Sequence, residues 1–140
     1  MIYTSYFGNI KKILSEHPDA VLISIAGKSP DWFNGLEYKK LAPKYSWWKE
    51  WHEKFKDDYE SPDSQLFYAM KYAETVLNTL DAHAVKCDLY NMANSRDVFI
   101  LCYEIPTKFC HRQLVKEWLT SEGIQCTEWT PRKAENEDQK

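Results

Sequence analysis

Cys110, His111 and Arg112 stand side by side in the chain, a thiol, an imidazole and a guanidinium in consecutive positions. Residues 98–104 (Val-Phe-Ile-Leu-Cys-Tyr-Glu) before them read as a buried strand. The run from Cys110 onward, with Leu114, Val115 and Leu119, has helical spacing. A strand that hands over to a helix presents unpaired backbone N–H groups and the positive end of the helix dipole at one spot, where an anion is favoured. With Thr107 as the N-cap, Cys110 falls in the first turn, and its thiolate is favoured by the dipole and by Arg112. Arg112 is placed to fork to a phosphate or carboxylate. His111 can donate to the same anion or move a proton. The structural alternative is a small buried Cys110 and an Arg112 that holds a loop carboxylate such as Glu104. Consecutive helical residues point about 100° apart, so the three cannot all face one ligand.

Other residues could join such a site. Glu104, at the strand end, suits a general base or a hydroxyl acceptor, or else a salt bridge to Arg112 or Lys108. Cys102 lies inside the apolar run and is assigned to the core. Its spacing from Arg112, with no glycine between, is not that of a phosphatase loop. Gly27-Lys28-Ser29 resembles the end of a phosphate-binding loop, but the motif needs a second glycine upstream and position 22 is Leu22. Lys28 and Ser29 are therefore expected to contact an anion only as loop side chains, or to be solvated. Trp32, beside Pro30, is the expected aromatic of the pocket. Trp47, Trp48, Trp51 and Phe55 fall on one helical face, and Trp48 and Trp51 are assigned to packing, although a nucleobase can also stack on such rings. His17, His52 and His83 lack metal-ligand spacing, and Cys110 and His111 would need partners from elsewhere in the chain to form a metal site, so no metal and no other cofactor is assigned.

These residues need a scaffold, and the chain can supply one. It has 140 residues with 44% hydrophobic and 15% aromatic content, enough to bury the core of one domain. A net charge of −3 argues against a general nucleic-acid coat. No run is apolar for long enough to span a bilayer and the start lacks a signal-peptide pattern, so a cytoplasmic protein without a membrane partner is expected. The four cysteines are not arranged as C-x-x-C, and reduced thiols are expected.

Strands are expected at residues 2–7, 20–25, 97–103 and 124–129. Helices are expected at 10–16, 35–41, 45–55 (capped by Ser46), 64–79 and 110–121, with another capped by Asp81. Leu66, Met70, Ala73, Leu77 and Leu80 would be the buried stripe of the 64–79 helix. Gly123 closes the last helix. Residues 131–140, polar and without apolar anchors, are expected to form a disordered tail after a single domain over 1–130. The alternation implies a three-layer, Rossmann-like α/β domain with a mostly parallel four-stranded sheet. The expected strand order is 2-1-3-4, with Ser5 and Tyr6 beside Cys102 and Glu104 at the ligand-binding end.

The segment Leu101-Cys102-Tyr103-Glu104 followed by Phe109-Cys110-His111-Arg112-Gln113-Leu114-Val115 resembles the closing motif of the DUF488 family. Tyr3-Thr4-Ser5-Tyr6-Phe7 is similar to that family's first strand. Residues 23–30 stand where many members carry an arginine-bearing loop; here Lys28 takes that place, and the Trp-rich middle is a second departure. The resemblance is to the short form seen in bacterial viruses and Gram-positive bacteria. It implies a Rossmann-like fold and supplies no activity.

The expected ligand is a small anion, nucleotide- or nucleoside-like, bound at the strand ends by Ser5, Tyr6, Lys28, Ser29 and Trp32. Glu104, Cys110, His111 and Arg112 would carry any hydrolysis or group transfer. The alternative is a non-catalytic module that sequesters a phosphorylated metabolite or docks a partner through the aromatic helix. Thiol redox chemistry at Cys110 is a third possibility, and a homo-oligomer is left open.

Overall fold

The computed structural model describes residues 1–132. Of the expected tail, only Pro131 and Arg132 are described, and the Arg132 N–H donates to the Glu16 carboxylate at 3.1 Å; the remainder lies outside the described residues.

Five strands form one parallel sheet. They are β1 (Ile2–Tyr6), β2 (Val21–Ser24), β3 (Leu36–Glu37), β4 (Val98–Cys102) and β5 (Cys126–Glu128). Helices α1 (Ile10–Glu16), α2 (Tyr45–Phe55), α3 (Pro62–Thr75), α4 (Ala82–Met92) and α5 (His111–Ser121) connect them. The α/β class and the parallel sheet are as expected. The strand order is corrected, because it runs β3-β2-β4-β1-β5. In register, Tyr6 is indeed opposite Cys102, but β2 pairs with β4 rather than β1, and β5 pairs with β1 rather than β4. The extra strand, β3, arises where residues 35–41 were expected to be helical. Leu36 and Glu37 pair with Ile23 and Ser24, and only Lys39–Leu41 turns into a short 3-10 helix.

All five residues of β4 are buried, as expected for a central parallel strand covered on both faces. Val98 and Ile100 enter the core beneath α3, α4 and α5, whereas Phe99 and Leu101 enter the smaller core with Ile13 of α1 and Trp129. This alternation follows from the two-residue period of a strand, and it makes the domain three-layered. By the same period Cys102 points to the α5 side, where it meets Arg112.

The inner face of α3 also differs from expectation. Leu66 and Met70 are 59% and 60% exposed, and Ser64, Tyr68 and Tyr72 are buried instead. The tyrosines bury more area per residue than the aliphatic stripe would, and the Tyr72 hydroxyl has a partner in the Leu41 carbonyl. Asp81 caps α4 by accepting from His83 N–H at 3.0 Å, and Gly123, with φ of +78°, ends α5 in the left-handed conformation that glycine adopts without cost. Lys44 rather than Ser46 precedes the first turn of α2.

Connections decide where a ligand can sit. From β2 the chain leaves toward the β3 edge, and from the adjacent β4 it leaves toward the β5 edge. Neighbouring strands whose exits diverge leave a crevice beyond their carboxyl ends.

Candidate functional site: a cavity at the carboxyl ends of β2 and β4

A cavity of about 720 Å³ fills that crevice. Ala26, Gly27 and Lys28 after β2 form one side, and Cys102 at the end of β4, with Tyr103 and Glu104 after it, the other. Cys110 and His111, at the start of α5, line the floor. The helix begins at His111 with Cys110 as its N-cap, later than a Thr107 cap would have placed it. Residues 103–108 are exposed and form a loop. That loop is tied down where the Glu60 carboxylate accepts from Phe109 N–H at 3.0 Å.

The remaining wall is aromatic and comes from α2 and the turn after it. Trp48 stacks on His52 with centroids 5.0 Å apart, and Trp51 stacks on Tyr59 at 4.8 Å. The Trp51 indole N–H is held by Ser64 Oγ at 2.9 Å, and the Tyr59 hydroxyl and His52 Nδ1 are 2.6 Å apart. These rings also cover the core beneath them, so the packing assigned to Trp48 and Trp51 holds in part. Their outer faces nonetheless line the cavity. Trp32, expected in the pocket, is corrected: it is 64% exposed, leans on Phe7, and does not line the cavity.

Lys28, Lys39 and Lys44 stand at the cavity's rim. Lys39 also donates to the Gly27 carbonyl at 2.7 Å and pairs with Glu37 at 3.3 Å. Ser29 donates to Glu37 Oε2 at 2.6 Å, lies 2.7 Å from the Ser24 hydroxyl, and lines a neighbouring shallow hollow instead. The Ser29 hydroxyl and Lys39 together hold the Glu37 carboxyl below its usual range. Ser5 is buried beneath the sheet end, accepting from Asn9 Nδ2 at 3.2 Å. Tyr6 lies under the Arg112 guanidinium, 5.8 Å from its centre. Neither lines the cavity.

Arg112 is the principal correction. Its side chain is 0% exposed. Nε donates to Glu128 Oε1 at 3.1 Å and Nη2 to Oε2 at 3.0 Å, a bidentate pair. Nη1 donates to the Glu104 carbonyl and to Cys102 Sγ, the latter at 3.3 Å. The expected carboxylate partner, Glu104, supplies only its backbone; its side chain is exposed at the cavity mouth. A guanidinium enclosed in this way is not open to an anion in the cavity. It locks α5 to β5, and Thr4 Oγ1 joins by donating to Glu128 at 2.7 Å.

His111 is buried, with Tyr72 5.5 Å away ring to ring. Burial holds its pKa down at about 4, so the ring is neutral at pH 7. Nε2 lies 2.7 Å from the Ile25 carbonyl. A carbonyl only accepts, so Nε2 carries the proton and Nδ1 keeps its lone pair, 3.9 Å from Cys110 Sγ.

The thiols differ most from expectation. Cys102 and Cys110 form a disulfide across the cavity floor, so they are not the reduced pair that was expected. Cys102 is buried, as a core residue would be, but it also faces the cavity. Among the described residues Cys87 and Cys126 are free, and burial pushes the Cys126 thiol up to about 12, which makes it inert. The paired Cys102, Cys110 and His111 place three ligand-type atoms within 4.8 Å of one another. The sequence held one signal for this: Cys102 and His111 flank a single strand-loop-helix unit that must fold back on itself.

The molecule is thus an α/β domain of Rossmann-like class, with a switch-point cavity floored by a disulfide and an imidazole. A family model described as DUF488-N3a, the active DUF488-N3 subclade, matches residues 24–123, which include every residue lining the cavity. The chain belongs to the DUF488 family. No curated protein and no solved structure matches it. No helix of the described residues is long and apolar enough to cross a membrane.

Proposed function

We propose that the cavity binds a nucleotide- or nucleoside-like anion. One observation carries this reading: an aromatic wall (Trp48, Trp51, Tyr59) stands across from loop backbone and a rim of lysines, at the carboxyl ends of diverging parallel strands. A base stacks on Trp or Tyr whatever its identity. A phosphate is attracted by Lys28 and Lys44, which make no ion pair among the described residues. A volume of about 720 Å³ is in the range of small-ligand sites. In the catalytic version, hydrolysis or group transfer takes place over the floor. Glu104 at the mouth accepts a proton, and neutral His111 offers the Nδ1 lone pair. The matching subclade's description as active supports that version. A cytoplasmic, phage-related setting accords with the family resemblance.

Arg112 favours the second reading, a binder that sequesters its ligand unchanged. Transition-state stabilisation needs fixed donors aimed at developing charge. The best such donor near the crevice is already engaged by Glu128, and the lysines are long and flexible.

The test is calorimetric titration with a panel of nucleosides and their mono- and diphosphates, followed by chromatography of the incubated ligand. Saturable binding of a phosphorylated nucleoside that Trp48→Ala weakens is expected. Turnover lost in Glu104→Gln with binding retained establishes the enzyme, and intact ligand recovered after denaturation establishes the binder. A panel that binds nowhere, with the protein folded, refutes both.

A further inference from the structure

We propose that reduction of the Cys102–Cys110 bond creates a three-ligand zinc site, formed by Cys102 Sγ, Cys110 Sγ and His111 Nδ1, whose fourth position opens into the cavity. The inference goes beyond the nucleotide reading and is tested without any nucleotide.

Four observations converge on it. The three ligand-type atoms lie within 4.8 Å of one another, and all three residues line the cavity. The imidazole is already oriented for ligation: Nε2–H is tied to the Ile25 carbonyl at 2.7 Å, which fixes the tautomer and leaves Nδ1 on the sulfur side. A backbone carbonyl on the far nitrogen is the usual support of a metal-binding histidine. Arg112 Nη1 donates to Cys102 Sγ at 3.3 Å, and a cation on sulfur favours the thiolate that a metal requires.

Backbone spacing is the fourth. The Cα atoms of Cys102 and Cys110 are 7.2 Å apart, beyond the range of about 4.4–6.8 Å in which disulfides usually occur. Zinc about 2.3 Å from each sulfur sets tetrahedral sulfurs roughly 3.8 Å apart. Rotation of the two side chains supplies that separation. Two thiolates, one imidazole and an open position make a recognised catalytic zinc set, in which water or a ligand oxygen completes the tetrahedron.

The chemistry balances with a thiol or phosphine reductant. Two electrons and two protons convert the disulfide to two thiols, while a dithiol becomes its own disulfide or a phosphine takes up water oxygen and becomes its oxide. Zn²⁺ then displaces the two thiol protons and accepts the Nδ1 lone pair, with no further electron transfer.

The full chain is reduced with a phosphine under argon and titrated with Co²⁺, whose thiolate charge-transfer and tetrahedral visible bands report the ligands. One equivalent is expected, displaced by Zn²⁺ and absent from the oxidised protein. Cys102→Ser, Cys110→Ser and His111→Asn should each lose the spectrum, whereas Cys87→Ser should keep it. Because a floor variant can fail to fold, the wild-type protein is also alkylated with and without Zn²⁺. Protection of Cys102 and Cys110, with Cys87 still modified, supports the site. Reduced wild-type protein that yields no tetrahedral cobalt spectrum, or whose floor thiols alkylate equally fast with zinc, overturns the proposal.

Discussion

Two cationic regions flank the carboxyl end of β4. On the α5 side, Arg112 is enclosed by Glu128, the Glu104 carbonyl, Cys102 and the Tyr6 ring. On the open side, Lys28 and Lys44 are exposed at the cavity rim. Both regions are positive and both lie near the same crevice, yet only one is available to a ligand. Burial decides between them. Taking a charge out of water is costly unless it is paired and its hydrogen bonds are filled, so the buried guanidinium is committed to its partners. An exposed ammonium is already solvated and can exchange water for a phosphate.

The comparison breaks most visibly at Arg112. Arg112→Leu strands the half-buried Glu128 carboxylate, and a loss of roughly 3–5 kcal/mol is expected in urea denaturation. Arg112→Lys should recover little of it, because an ammonium cannot fork to two carboxylate oxygens. A protein that loses ligand affinity but keeps its stability in these variants would move Arg112 from scaffold to site.

Acidification tests the same interior. The His111 ring resists protonation until about pH 4 in the folded protein, whereas in the unfolded chain it titrates near its ordinary value of about 6.5. Between those limits the unfolded state holds the extra proton. Stability is therefore full above about pH 6.5 and falls as the pH drops toward 4, with a slope from this group approaching about 1.4 kcal/mol per pH unit. Urea midpoints of the oxidised, metal-free protein measure it, and His111→Gln should flatten the slope.

The open side should respond in affinity rather than stability. Trp48→Ala is expected to weaken binding of a base-bearing ligand by about 1–3 kcal/mol, and Trp48→Phe by less. The smallest effect belongs to Lys28→Ala and Lys44→Ala. Each should lower affinity modestly, reduce its dependence on salt and leave the melting temperature unchanged. Calorimetry at two ionic strengths separates these outcomes from a structural role.

Parts of this division were legible in the residues alone. The apolar run of β4, the helical spacing after Cys110 and the glycine after α5 each depend on near neighbours. The adjacency of β1 and β4, which puts Tyr6 opposite Cys102, agrees with the expected order but joins segments far apart in the chain. Arg112 was not legible, because its partner Glu128 is reached only when β5 pairs with β1. The sequence offered Glu104 as the nearer carboxylate, and distance along the chain misled. Trp32 and the α2 tryptophans were exchanged for a similar reason. Helical spacing shows that rings share a face, but not that part of this face overlooks a crevice.

Local hydrogen bonding and hydrophobic period are written into adjacent residues. They determined that this chain alternates strands with helices and that Cys-His-Arg lies just beyond a buried strand. Strand order, the meeting of Cys102 with Cys110, and the partner of Arg112 depend on which distant segments come within a few ångströms. Only the packed tertiary structure decides that, because long-range pairing is selected by the joint burial of whole faces rather than by any one spacing.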